Sequence, residues 1–512
     1  MKRIRLISGM LTVGGWTLLS RILGFVRDIT IAAFLGAGPV AEAFLIAFSL
    51  PNMFRRFFAE GAFNMAFVPM FSKKLEANDG ALPFARDAFT GLAAVLIGLT
   101  VVALFAMPAL VYAMAAGFAG DARFDLAVSF GRIAFAYIIF ISLAALLSGV
   151  LNATGRFVAA AAAPALLNVV FIAALMLAYQ MGWDMGRTLA WAVPIAGIAQ
   201  FALVWSAAVR AGFRITPARP RMTPELKRLM LVMGPAMLAG GVVQINLLIG
   251  RQIASQFDGA IAWLNYADRL YQLPLGVVAI AIGVVLLPDL SRKLEANDTV
   301  GGRNAFNRAT ELSLALTVPA SVALIVIPLP LISVLFQRGA FAFTDAQATA
   351  WAVAIYGLGL PAFVLQKTLQ PLFFARHDTK RPFYFALVSL FINAVVAVGL
   401  SPLIGFTAAA WGTSLAGWGM AALLWIKTKP MGDAASFDAR FKTRLPRIIA
   451  ASGIMGASLW GVASTLTPVL YDSPWRGLGL LALCATGIVV YGVAGQILAA
   501  FKMQDFRQAL RR

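Results

Sequence analysis

Ser72-Lys73-Lys74-Leu75-Glu76-Ala77-Asn78-Asp79 returns further along the chain as Ser291-Arg292-Lys293-Leu294-Glu295-Ala296-Asn297-Asp298. A proline stands before each copy, Pro69 and Pro288. Two weaker matches keep nearly the same offset. Ala190-Trp191, Ala196-Gly197 and Trp205 return as Ala410-Trp411, Ala416-Gly417 and Trp425. Thr154-x-Arg156 with Asn168 returns as Thr379-x-Arg381 with Asn393, at a slightly longer offset. Three ordered matches at nearly the same spacing mark a duplicated unit of roughly 220 residues.

The unit is a bundle of apolar helices. Of 512 residues, 61% are hydrophobic and 12% charged, too few charges to cover a soluble protein. Fourteen apolar segments fall near 8–34, 41–70, 88–116, 129–151, 157–181, 188–209, 229–256, 262–289, 309–336, 346–374, 383–401, 406–426, 448–467 and 477–500. Each is close to the ~20 residues that span a bilayer. The predicted fold is an all-α polytopic membrane protein. It has 14 transmembrane helices: two six-helix lobes related by the internal repeat, plus two C-terminal helices. The expected domains are 1–215 (N-lobe, helices 1–6), 216–430 (C-lobe, helices 7–12) and 431–512 (helices 13–14 and a cytoplasmic tail). Six is an even number, so both lobes keep the same orientation. Parallel repeats of this kind are a transporter design, with the site between the halves and alternating access by rocking.

The net charge of +20 is distributed by topology. About 30 Lys and Arg sit at the N-terminus, in the even-to-odd loops and in the tail, against about four (Arg123, Arg187, Arg338, Arg476) in the opposite loops. Both termini are therefore expected in the cytoplasm. The basic side is expected to meet anionic lipid, with no nucleic-acid role. The basic start, Met1-Lys2-Arg3-Ile4-Arg5, resembles a signal-peptide n-region but lacks a small-residue cleavage site, so it reads as the first spanning helix. One cysteine, Cys484, and one histidine, His377, exclude disulfides and a Cys/His metal centre. They also remove the usual nucleophile–histidine pairs, so no enzyme activity, cofactor or metal is expected.

Charged residues inside the apolar segments narrow the function: Arg21, Arg27, Asp28, Arg55, Arg56 and Arg269. An arginine at mid-membrane costs roughly 2.5–3.5 kcal/mol, so such residues face a wet cavity or a partner. On an ideal helix Arg21 and Asp28 lie within about 20° of each other and Arg27 about 100° further round, which allows one inward arc. Helix 2 adds Asn52, Arg55, Arg56 and Glu60, and helix 8 adds Asp268-Arg269. A planar, permanently charged guanidinium suits bidentate phosphate contacts. The competing expectation is that each arginine pairs with a nearby acid or snorkels to the interface.

Several stretches carry a family resemblance. They are Ser20-Arg21-Ile22-Leu23-Gly24-Phe25-Val26-Arg27-Asp28, Leu50-Pro51-Asn52 through Arg55-Arg56, Ala59-Glu60-Gly61-Ala62-Phe63 with Ala66-Phe67-Val68-Pro69, and Tyr266-Ala267-Asp268-Arg269-Leu270. Phe336-Gln337-Arg338-Gly339 with Phe341, and Ala375-Arg376-His377-Asp378-Thr379-Lys380, belong with them. The sequence resembles the lipid II flippase family (MurJ, also called MviN) of the MATE-like MOP superfamily. That resemblance implies movement of a lipid-linked peptidoglycan precursor across the bacterial cytoplasmic membrane, by a monomer. It implies that Arg21, Arg27, Asp28, Arg55 and Arg269 bind the pyrophosphate. Glu60 would support the cavity or gate, and helices 13 and 14 would hold the polyprenyl tail. The family's usual aspartate at the start of helix 2 is Glu42 here. Where some members hold sodium with acids on helices 7 and 11, this chain offers Gln244, Asn246 and Asn393. The rival readings are a MATE-like exporter of another substrate (an O-antigen lipid or a drug) and a membrane enzyme acting on polyprenyl phosphates.

Overall fold

A computed structural model describes residues 2–56, 63–281, 286–471 and 473–501. Among these the chain folds into helices and their connections, with no strand. The first compact unit, Met1–Ala262, holds α1 (Lys2–Leu35), α2 (Pro39–Arg55), α3 (Asn64–Glu76), α4 (Ala81–Met114), α5 (Ala122–Ala134), α6 (Tyr137–Ala153), α7 (Val158–Met181), α8 (Met185–Arg210) and α9 (Pro224–Ala254). The second, Trp263–Arg512, holds most of α10 (Ala260–Ala281), then α11 (Leu287–Glu295), α12 (Thr299–Val326), α13 (Pro328–Phe336), α14 (Phe343–Phe374), α15 (Lys380–Ile404), α16 (Thr407–Thr428), α17 (Ala439–Thr465), α18 (Thr467–Tyr471) and α19 (Arg476–Ile497).

Each of the fourteen apolar segments falls on one of these helices or on a consecutive pair. Helices are the expected solution, because a helix satisfies its own backbone where no water can. Among the described residues, eight helices can cross a bilayer by length and composition alone, or nine when α5 and α6, bent by 41°, count as one span. The α2 helix, with 17 residues, is shorter than a span. The outer surface is apolar, as lipid contact requires: Phe105 on α4 is 83% exposed, and Leu403 and Ile488 also face outward.

The repeat is visible in the backbone. Asn78 and Asn297 are both left-handed, with φ of 51° and 57°. In each turn the asparagine N–H donates to a leucine carbonyl, Leu75 or Leu294, and the next aspartate N–H donates to a lysine carbonyl, Lys74 or Lys293. Asparagine tolerates this conformation better than most residues, which explains its presence at both ends. Packing repeats as well. In the first unit α4 packs on α6, α6 on α8 and α7 on α8; in the second α12 packs on α14, α14 on α16 and α15 on α16. Gly197 and Gly417 sit at equivalent places, each pressed against an aromatic ring, Tyr137 or Phe363, where a Cβ would clash. The long helix α9, which the repeat counts with the second copy, packs on α3 and α4 of the first unit.

The three C-terminal helices join the second unit through α12. Glu311 receives Arg444, Arg440 (3.2 Å) and Arg308. Arg308 also pairs with Asp438, whose other oxygen caps α17 through the Phe441 N–H at 2.7 Å. Asn307 donates to the Ser436 carbonyl at 2.9 Å and accepts from the Asp438 N–H at 3.0 Å. Phe437 stacks between Trp425 and Phe441, with centroids 4.3 and 4.1 Å away. The segment entering α17 is thus held by charge, backbone bonds and rings together.

Candidate functional site

The α1 helix comes close to α7 because Gly24 presents no side chain at the crossing. A Cβ there would already touch Asn168, at 3.4 Å. One turn further on, Arg27 and Asp28 are buried, 7% and 2% exposed. The Arg27 guanidinium donates through Nε (3.0 Å) and Nη2 (2.7 Å) to Asp28 Oδ1, and through Nη1 to Asn168 Oδ1 at 2.9 Å. Asn168 in turn donates from Nδ2 to the Ser20 carbonyl at 3.0 Å and to Pro164. Its oxygen faces the arginine because its nitrogen is held by the α1 backbone. The guanidinium also lies over the Phe171 ring, 5.7 Å from the centroid, in cation–π range. The cation is therefore fixed in plane and position by an acid, an amide and a ring.

The other expected site residues stand differently. Arg21, nearer the N-terminus of α1, is exposed; the residues around it, from Val13 to Ile22, are mostly uncovered. Arg55, at the end of α2, is half-buried, and Arg56 is exposed. Glu60 lies outside the described residues. Arg269 belongs to α10, half-buried next to Asp268, which accepts from Gln272 one turn on. Above it Tyr266 is fully buried in a ring cluster with Phe336 (5.4 Å) and Phe341 (5.5 Å). Two of the quoted motifs, Tyr266-Ala267-Asp268-Arg269 and Phe336-Gln337-Arg338-Gly339, thus meet at one aromatic contact. Among the described residues no three His, Cys, Asp or Glu side chains gather to hold a metal ion.

A second charged centre escaped the sequence reading as a site. Glu42, at the start of α2, is 1% exposed. Its Oε2 accepts from Arg123 Nη1 at 3.0 Å, and its Oε1 accepts from the Ile261 N–H, in the first turn of α10, at 3.1 Å. Arg123 also pairs with Asp121 (2.6 Å) and Asp258 (3.0 Å) and lies 4.5 Å from the Phe118 centroid. The Arg123 hydrogen bond holds the Asp121 carboxyl below the usual aspartate range. A carboxylate at a helix N-terminus gains from the helix dipole, so Glu42 serves both the arginine and α10. One signal was available: Arg123 is among the few basic residues of the Lys/Arg-poor loops.

The family model described as "Lipid II flippase MurJ" matches residues 31–477. A protein of Rhizobium meliloti (strain 1021) called "Probable lipid II flippase MurJ" is 44% identical over 517 residues, covering 99% of this chain and 96% of that protein. A protein of Burkholderia cenocepacia called "Lipid II flippase MurJ" is 37% identical over 410 residues, covering 78% and 80%. Among solved structures, a lipid II flippase MurJ in an inward closed conformation superposes with a TM-score of 0.79 at 25% identity, covering 98% of this chain and all of that one. An inward-facing MATE-family multidrug transporter superposes with a TM-score of 0.68 at 15% identity, a likeness of fold alone.

Proposed function

The chain belongs to the lipid II flippase MurJ family, and we propose that it moves lipid II from the cytoplasmic to the outer leaflet of the bacterial inner membrane. Its role is then transport for cell wall biogenesis, without covalent chemistry on the substrate. Both termini lie in the cytoplasm, residues 1–215 and 216–430 act as the two lobes of an alternating-access cycle, and 431–512 supply helices 13 and 14. The observation that carries this reading is the buried Arg27 guanidinium, oriented by Asp28, Asn168 and Phe171 inside a helix bundle of the transporter class.

The chemistry is that of an anion grip. Lipid II carries a pyrophosphate between its sugar and its polyprenyl chain, and this charge is the hardest part to move through lipid. A planar guanidinium meets phosphate oxygens in pairs. Arg21, Arg55 and Arg269 supply further positive charge, Asp28 holds Arg27 in orientation, and Glu60 acts as supporting acid. Asn168 joins them as a positioning residue. A site of net positive charge fits this substrate better than a cationic drug, which disfavours the alternative of a drug exporter on this fold.

Depletion of the protein in growing cells tests the reading. Lipid-linked precursor should accumulate on the cytoplasmic side, and restored synthesis of the protein should clear it. Unchanged precursor distribution after depletion would remove the proposal.

A further inference from the structure

Of the few arginines in the Lys/Arg-poor loops, Arg123 is answered by three carboxylates. Arg338 and Arg476, in the second unit, are not. Arg338 Nη2 donates to the Val334 carbonyl at 2.8 Å, and Arg476 Nη1 donates to the Gln337 carbonyl at 2.9 Å. Both guanidiniums thus gather at the C-terminal end of α13. Partial burial first, and the neighbouring Arg476 second, lower the pKa of Arg338. Among the described residues neither has a carboxylate partner. Asp345, across the turn, instead accepts from Trp263 Nε1 (2.9 Å) and from the Ala342 N–H (2.9 Å).

Capping α13 does not account for two charges. A helix C-terminus carries roughly half a negative charge, and the N-terminus of α19, where Arg476 lies, adds about half a positive one. The two helix ends roughly cancel, which leaves the two guanidiniums with no carboxylate partner among the described residues. The guanidiniums each offer five N–H groups, and one of each is spent on a carbonyl. Packing holds the turn that follows Arg338. Gly339 turns at φ +57°, and Phe336 and Phe341 on either side are buried against Tyr266. Exposed aromatics border the pair. Trp475 precedes Arg476 and is exposed, and Phe343 packs edge-on against Tyr471. Tryptophan and tyrosine beside arginine are the usual furniture of a bilayer headgroup zone.

We propose that Arg338 and Arg476 form a binding site for the phosphate of a membrane phospholipid, seated where α13, α14, α18 and α19 meet. The lipid's phosphodiester bridges the two guanidiniums, and its acyl chains lie along the apolar outer face of α19, where Leu478 and Leu481 are exposed. The site is separate from the anion grip proposed around Arg27, and does not depend on lipid II being the substrate. It would anchor the C-terminal helices to the headgroup layer.

The purified full-length protein in non-ionic detergent is titrated with short-chain phosphatidylglycerol, with the matching diacylglycerol and with inorganic phosphate, and its thermal unfolding temperature is read. The wild type should be stabilised by the phospholipid and not by the diacylglycerol. In an Arg338→Gln/Arg476→Gln variant the midpoint of that titration should rise about tenfold, the equivalent of ~1.4 kcal/mol. An Arg338→Lys/Arg476→Lys variant guards against misfolding: it keeps the charge and should retain part of the response. Equal stabilisation of wild type and the glutamine variant would overturn the site. A response to inorganic phosphate equal to that of the phospholipid would overturn the lipid assignment.

Discussion

Two buried charge clusters have opposite composition. In the first unit one arginine, Arg123, is answered by three acids, Glu42, Asp121 and Asp258. In the second, one acid, Glu311, is answered by three arginines, Arg308, Arg440 and Arg444. The first therefore has an excess of negative charge and the second of positive. Each follows the loops from which it is built: Asp121 and Arg123 come from a stretch poor in Lys and Arg, and Arg440 and Arg444 from one rich in them. The asymmetry that sets topology thus reaches into the buried pairs. The difference also has an energetic side. Each centre turns on a single ion, and stranding a buried partner by its removal costs more than forming the pair gains.

The largest effect is expected at Glu311. Replacement by Gln removes the acid that Arg308, Arg440 and Arg444 share, leaves Arg308 its pair with Asp438, and loosens α17 from α12. Stability should fall by about 3–5 kcal/mol, the range for breaking a buried pair. Thermal unfolding in detergent reads this, and an unchanged midpoint would mean the cluster is solvated and the comparison is empty. Arg123→Gln comes next. It strands Glu42, while Asp121 and Asp258 return to solvent at little cost, so the loss should be about 3 kcal/mol. Adding Glu42→Gln should recover part of it, and a double variant no better than the single one would show that Glu42 is not the residue that suffers.

Smaller effects sharpen the picture. Glu42→Asp shortens the side chain by one methylene, so it cannot reach Arg123 and the Ile261 N–H together. About 1 kcal/mol should be lost, the worth of one hydrogen bond. Asp258, 94% exposed, should tolerate Ala without measurable change. Acid supplies the smallest test. The folded Asp121 pKa is lowered, so its contribution is complete above the unfolded value near 4 and disappears as pH falls through the folded value. Wild type and Asp121→Asn should therefore differ in unfolding temperature at pH 6 and converge on acidification below about pH 4, by less than ~1 kcal/mol for so exposed a pair.

The sequence displayed what is local or periodic. The apolar segments, the internal repeat and the pair Arg27–Asp28 lie within one stretch or recur at one spacing, and the helices fall on them. The matching left-handed turns at Asn78 and Asn297 fall within the two copies of the repeated stretch. Residues joined across the fold were not displayed. Arg27 and Asn168 are 141 positions apart, Glu42 and Arg123 81 apart, and Arg444 and Glu311 133 apart. No period links such pairs, and an asparagine on an apolar helix has no mark to distinguish a core residue from one that aims a guanidinium. The repeat did single out Asn168, together with Asn393, and that was the one available hint.

Arg27 is the residue on which the transport reading depends, and its burial makes the simple deletion ambiguous, because Arg27→Ala strands Asp28. The direct measurement is movement of labelled lipid II across liposomes containing purified protein, compared among the wild type, Arg27→Lys and the charge-neutral double variant Arg27→Gln/Asp28→Asn. The wild type should move the lipid, the lysine variant should move it more slowly for want of the planar fork, and the double variant should be folded and inactive. Wild-type rates in the double variant would contradict an anion grip at Arg27 and leave the pair as a structural feature of α1.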